Sequence, residues 1–199
     1  MPRRLVILGE EHHHPEHRAF GAHVLPLLRA VDITHLALET GAQAPLDEAR
    51  QAGRVTPSTD GFSFERQRAA WLPLVAFDMD ADDAVWMQTH PDEAFAYRER
   101  RMAEHIVGRI LEREPAAGAL VWVGHGHGQK GTPLKMMAQY LWELAGEEPF
   151  SAYQLTNCSN GCCLVVPCSR RPATSVHQVR SLAFNSSSGV GGRPARPCP

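Results

Sequence analysis

With 199 residues, 43% hydrophobic and 21% charged, and a net charge of −2, the chain can bury one core of its own and offers nucleic acid no basic surface. No apolar run is long enough to cross a membrane. The first run is broken by Gly9-Glu10-Glu11, too early for a signal-peptide core, so the expectation is a cytoplasmic protein with neither a membrane nor a nucleic-acid partner.

Leu5–Leu8 reads as a strand, apolar at every position as in a sheet covered on both faces. It stops at Gly9 and releases Glu10, Glu11, His12, His13 and His14 into a turn. Pro15 then opens a helix with the stripe Phe20, Val24, Leu27, Leu28 and Val31, and Pro26 predicts a kink or an early end. Ile33–Glu39 is a second strand ending on a carboxylate. Residues 42–61 are irregular, with a short helix at Pro45–Arg50, and Phe62–Leu72 suggests another helix. Leu74–Asp78 is a third strand ending in acids, with Asp80, Asp82 and Asp83 as a solvated turn and helix cap.

Thr89-His-Pro-Asp-Glu93 predicts a helix start, and the helix runs to about Glu114 with Phe95, Met102, Ile106 and Ile110 on its apolar arc. Arg98 and Arg100 border opposite flanks of that arc, and the helical wheel does not choose between them. Ala119–Val123 is a fourth strand, followed by Gly124-His125-Gly126-His127-Gly128. Thr132 and Pro133 predict the start of a helix with the stripe Leu134, Met137, Leu141 and Leu144, ended by Gly146. Phe150–Thr156 is a fifth strand. Strands alternating with helices imply an α/β fold: a mostly parallel sheet of about five strands with helices on both faces.

After Thr156 the composition changes. Residues 157–199 hold all five cysteines, five arginines and no acid, a charge of +5 that leaves −7 for residues 1–156. Residues 1–156 are therefore expected to form a single domain. The remainder reads as a disordered tail or a non-native extension, apart from a short strand at Cys162–Val166. Its cysteine spacing lacks the pairs of a structural zinc site, and the odd count argues against a disulfide framework.

In an open α/β sheet, ligands bind beyond the carboxyl ends of the strands, where Glu10, His12, Glu39, Asp78, His125 and His127 all fall. Two hydrolytic chemistries use such a set. In one, His12, Glu39 and His127 hold a divalent ion (zinc, manganese or cobalt) whose bound water attacks, with Glu10 as base. In the other, His12 is itself the base, oriented by Glu10 or Glu39, and an arginine such as Arg98 steadies the oxyanion. His125 is a second imidazole on the same turn and a candidate substrate contact. Lys130, before the expected helix start, is a candidate contact for a substrate anion. The glycine-rich turn is not a P-loop, since Gly128 and Lys130 are not adjacent.

These residues resemble the superfamily of Tiki/TraB, erythromycin-esterase and ChaN-like (haem-binding uptake) domains. Gly9-Glu10-Glu11-His12 matches a Gly-Glu-x-His motif after the first strand, and Pro15-Glu16-His17 is similar to the ChaN-like continuation. Glu39 matches a glutamate ending the second strand. Arg98-Glu99-Arg100-Arg101-Met102-Ala103 matches an Arg-acid-x-x-Met-Ala helix motif, which favours Arg98 over Arg100. Gly124-His125-Gly126-His127 matches a late Gly-x-x-His.

The resemblance covers residues 4–156 and implies an EreA/ChaN-like fold. It also implies a split in function: Tiki-type members act as metal-dependent proteases, the erythromycin-esterase type hydrolyses a macrolide ester, and ChaN-like members bind haem. The leading expectation is a metal-assisted hydrolase of a small-molecule or peptide substrate, with catalytic Glu10, His12, Glu39, Arg98 and His127. The alternative is a non-catalytic haem-binding module using histidines of the 12–17 cluster. Oligomeric state is not readable from the sequence.

Overall fold

A computed structural model describes residues 4–41, 43–52, 72–156 and 163–167. Six strands, β1 (Leu5–Glu10), β2 (His35–Leu38), β3 (Leu74–Ala76), β4 (Ala119–Gly124), β5 (Phe150–Thr156) and β6 (Cys163–Pro167), form one sheet in the order β3-β2-β4-β1-β5-β6. The first five are parallel, and β6 pairs antiparallel with β5 at the edge. The expected mostly parallel α/β sheet is thus present.

Strand alternation sorts the apolar residues onto two faces. Leu5, Ile7, Ala37, Phe77, Val121 and Val123 pack under α4 (Ala94–Ile106) and α5 (Met137–Ala145). Leu8, Leu36, Leu38, Leu120, Trp122 and Ala152 pack under α1 (Pro15–Arg29) and α2 (Gln43–Ala52). Each fully buried leucine or isoleucine contributes about 1.5–3 kcal/mol of transfer free energy, which is what holds helices to both faces.

Several local expectations are corrected. The first helix does not end at Pro26 but continues to Arg29, because packing of the fully buried Leu25 outweighs one lost backbone hydrogen bond near the helix end. Its buried face is His17, Gly21 and Leu25, while Leu27 and Val31 of the predicted stripe are exposed. Gly21 is required there: a Cβ would lie 2.3 Å from the Trp122 ring.

Thr89 does not start a helix. It ends α3 (Ala81–Thr89), which Asp80 and Asp83 begin with a reciprocal capping box, and α4 follows from Ala94. Asp83 is buried rather than solvated. After Ile106 the helix widens into a π-helical turn at Val107–Leu111. The last helix starts at Met137, not at Thr132, and the chain before it makes a 3-10 turn at His125–Gly128. The expected Phe62–Leu72 helix lies outside the described residues apart from Leu72.

Candidate functional site

The three central strands β2, β4 and β1 end side by side, and their ends carry Glu39, Gly124 and Glu10. Glu10 shares its face with Leu8, so its carboxylate turns down toward α1 and is 1% exposed. The indole Nε1–H of Trp122 donates to Glu10 Oε2 at 2.7 Å. Glu10 Oε1 lies 2.9 Å from His12 Nδ1. The hydrogen bond to Glu10 raises the His12 pKa above its ordinary value, against partial burial, with Glu39 adding to the rise.

His12 Nε2 is left facing Glu39 Oε2 at 3.6 Å. Gly124 makes this possible, because a Cβ there would stand 2.9 Å from His12 Nε2. Glu39 is held from two sides: the Gly124 amide donates to Oε2 at 2.7 Å and Arg98 Nη2 to Oε1 at 2.9 Å. Arg98 also forks onto Asp78 at 2.9 and 2.8 Å, and these bonds lead the causes that raise its pKa and keep it charged.

A second imidazole reaches the same carboxylate. His127 Nε2 lies 3.5 Å from Glu39 Oε1, and its Nδ1 lies 2.6 Å from Glu99 Oε1. Glu99 is fully buried on α4, and its other oxygen accepts the Met137 amide at 2.7 Å, tying the first turn of α5 to the site. The site therefore consists of two carboxylate–imidazole pairs, Glu10–His12 and Glu99–His127, with both outer nitrogens facing Glu39.

Glu10, His12, Glu39, Arg98 and His127, singled out from the sequence, are thus brought together. His125 is not part of the pair system; it is exposed, its ring edge-on to Tyr153 with centroids 6.3 Å apart. Lys130 corrects the expected anion contact. Its ammonium is buried, donates to Glu148 Oε1 at 2.9 Å and to the Pro149 carbonyl at 2.6 Å, and so sits at the amino end of β5, the opposite edge of the sheet from Glu10 and Glu39.

Glu99 and Trp122 were missed as site residues, and Asp78, counted among the strand-end groups, had been given no role. For Glu99 a signal existed: it is three and four residues before Met102 and Ala103 and seven before Ile106, so an acid lay on the buried arc and needed partners.

Among the described residues, Asp80, Asp83 and His105 also bring three ligand-type atoms within 4.8 Å of one another. Arginines occupy this cluster: Arg101 bonds Asp83 at 2.8 Å and lies 3.1 Å from His105 Nε2, and Arg109 lies 3.7 Å from Asp80. Burial works against the charged form of Asp83, but hydrogen bonds from Arg101, Tyr97 and the backbone overrule it and hold its pKa below the usual carboxylate value.

No protein-family model matches the sequence, and no curated protein matches it. Solved structures do match in shape. One described as bacterial protein toxins superposes with a TM-score of 0.57 at 15% identity, over 82% of this chain and 36% of that one. The RRSP effector domain of a MARTX toxin from Vibrio vulnificus gives 0.53 at 17% identity, over 84% and 35%. ChaN of Campylobacter jejuni, in a structure describing cofacial haem binding, gives 0.53 at 12% identity, over 84% of this chain and 89% of that one. The chain spans only about a third of the length of the two toxin structures, and nearly all of ChaN. At these identities the likeness is one of fold, and the fold of this chain is ChaN-like.

Proposed function

We propose that the chain is a hydrolase of the Tiki/erythromycin-esterase kind, acting on an ester or amide with His12 as general base. The observation that carries this reading is the pair of carboxylate–imidazole units facing Glu39. In the Glu10–His12 unit, Nδ1 is taken by the carboxylate, which leaves Nε2, beside Glu39 on a half-exposed ring, as the nitrogen that would take a proton from a water. Glu10, fixed by Trp122, steadies the imidazolium that results. His127, fixed by Glu99, is placed to protonate the leaving group, and Arg98 offers positive charge to the oxyanion, shared with Asp78 and Glu39.

A divalent ion between His12, Glu39 and His127 would be the other route to an activated water. The two imidazoles fit, since a carboxylate fixes the inner nitrogen of each. Glu39 does not: its Oε1 is held by the Arg98 guanidinium, so an ion bound there would lie close to that cation and be repelled by it. No step is therefore assigned to a metal.

Haem binding is the second reading, favoured by the match to ChaN over most of both chains. Of the 12–17 histidines, His17 is buried with its Nδ1 accepting the Glu11 amide at 2.9 Å, so exposed His13 is the better placed to meet iron.

The test is a panel of activated esters and peptides assayed with wild type, His12→Asn and Glu39→Gln. Each substitution is expected to lower kcat/KM by roughly 100-fold or more. Wild-type rates in His12→Asn would overturn the base assignment, and a Soret band on haem titration without any hydrolysis would favour the second reading.

A further inference from the structure

Beneath the Glu10–His12 pair the protein buries polar atoms that nothing in the hydrolytic scheme uses. Gln154 on β5 is fully buried, and neither its amide nitrogen nor its amide oxygen has a hydrogen-bond partner among the described residues. His17 on α1 is also fully buried. Its Nδ1 accepts the Glu11 amide, which places the ring proton on Nε2, and that nitrogen too lacks a partner. Arg18 Nε is a fourth such atom, 3.7 Å from Glu10 Oε1 and beyond hydrogen-bond reach.

Sheet register brings these groups together. Leu8 pairs with Ala152 and Gly9 with Tyr153, so the next position sets Gln154 beside Glu10, on the face that Leu8 and Ala152 share. Helix α1 contacts both β1 and β6, and β5 lies between those strands, so α1 lies on the face of the sheet that carries Gln154. His17 faces the sheet one turn before Gly21, at the end of α1 that lies over the strand ends. Glu10 has accepting capacity left, because His12 and Trp122 use one lone pair on each oxygen.

We infer that Glu10, His17 and Gln154 enclose a built-in site for buried water, through which the Gln154 amide steadies the Glu10 carboxylate, making Gln154 a positioning residue for the Glu10–His12 pair. Buried waters settle where two to four polar groups converge. Here the site offers an imidazole N–H donor, an amide that both donates and accepts, and a carboxylate that accepts. Its catalytic consequence rests on the hydrolase reading, but the water site does not.

A crystal structure of the wild type is expected to show an ordered water within hydrogen-bond distance of Gln154 and of Glu10 or His17; a dry contact there would overturn the inference. Gln154→Met, close in shape but apolar, supplies the second arm. If the amide is bridged by water, the variant melts at a lower temperature than wild type; an unchanged or higher melting temperature, the result for an amide with no partner at all, would overturn it. Once a substrate is known, the same variant is expected to lower kcat severalfold with KM unchanged. A rise in KM alone would reject the positioning role while leaving the water site intact, and absence of any hydrolysis would count against the hydrolase reading only.

Discussion

Two histidines five residues apart respond to pH in opposite directions. His12 has its pKa raised, chiefly by the hydrogen bond to Glu10, so the stability it contributes is full below the unfolded value of about 6.5 and is lost as pH rises through its higher folded value. His17 has its pKa lowered by burial. Below about pH 6.5 the unfolded chain takes up a proton there that the folded chain refuses, so stability falls as the solution is acidified. Thermal melts across the neutral to mildly acidic range are expected to show an acid-side loss that His17→Gln diminishes and His12→Gln does not. Equal profiles for all three proteins would contradict both assignments.

Trp122→Phe leaves Glu10 Oε2 without its indole donor and withdraws the outer ring atoms that lie against Gly21. The expected cost is about 1–3 kcal/mol in chemical denaturation, together with reduced hydrolysis. At Gly124 the prediction separates activity from folding. Alanine there would push on the half-exposed His12 ring, which can swing outward, so hydrolysis should fall at least tenfold, an order-of-magnitude figure for a misplaced catalytic group, while the melting temperature changes little.

At the scale of elements, the site depends on a tie between helices that belong to different parts of the chain. Glu99 on α4 accepts from both His127 and the first amide of α5. Glu99→Gln keeps the shape but offers an NH2 group where an acceptor is needed. It is expected to cost about 1–3 kcal/mol and to misplace His127; unchanged melting and unchanged activity would show that the tie is dispensable.

The strand-end residues can be read from sequence because parallel strands must end on one edge, so Glu10, His12, Glu39 and His127 converge whatever the details of the helices between them. Glu99 and Gln154 could not be placed so directly. The spacing to Met102, Ala103 and Ile106 puts Glu99 on the buried arc of α4 without naming its partners, and Gln154 depends on strand register, which no local pattern gives. Lys130 was misplaced for a related reason. Thr132 and Pro133 suggested a helix start, but the chain folds back along β1 and β5, and the lysine pairs at the far edge.

For the whole molecule, the order β3-β2-β4-β1-β5-β6 puts the site over the middle of the sheet, where both faces are covered and the strand ends are best fixed. No helix among the described residues is long and apolar enough to cross a membrane. The sheet continues past the expected domain boundary at 156, since β6 pairs from Thr156–Cys163 to Ala152–Pro167. A chain truncated after Thr156 would leave β5 as a bare edge and is expected to aggregate more readily than one truncated after Pro167. Equal solubility of the two would show that β6 is not needed to cover that edge.

The most direct measurement is ester or peptide hydrolysis by exhaustively chelated protein, wild type beside His12→Asn. Catalysis by the Glu10–His12 pair predicts that wild-type activity survives removal of divalent metals and falls by roughly 100-fold or more in the variant. Activity that disappears on chelation and returns with zinc or manganese would contradict it.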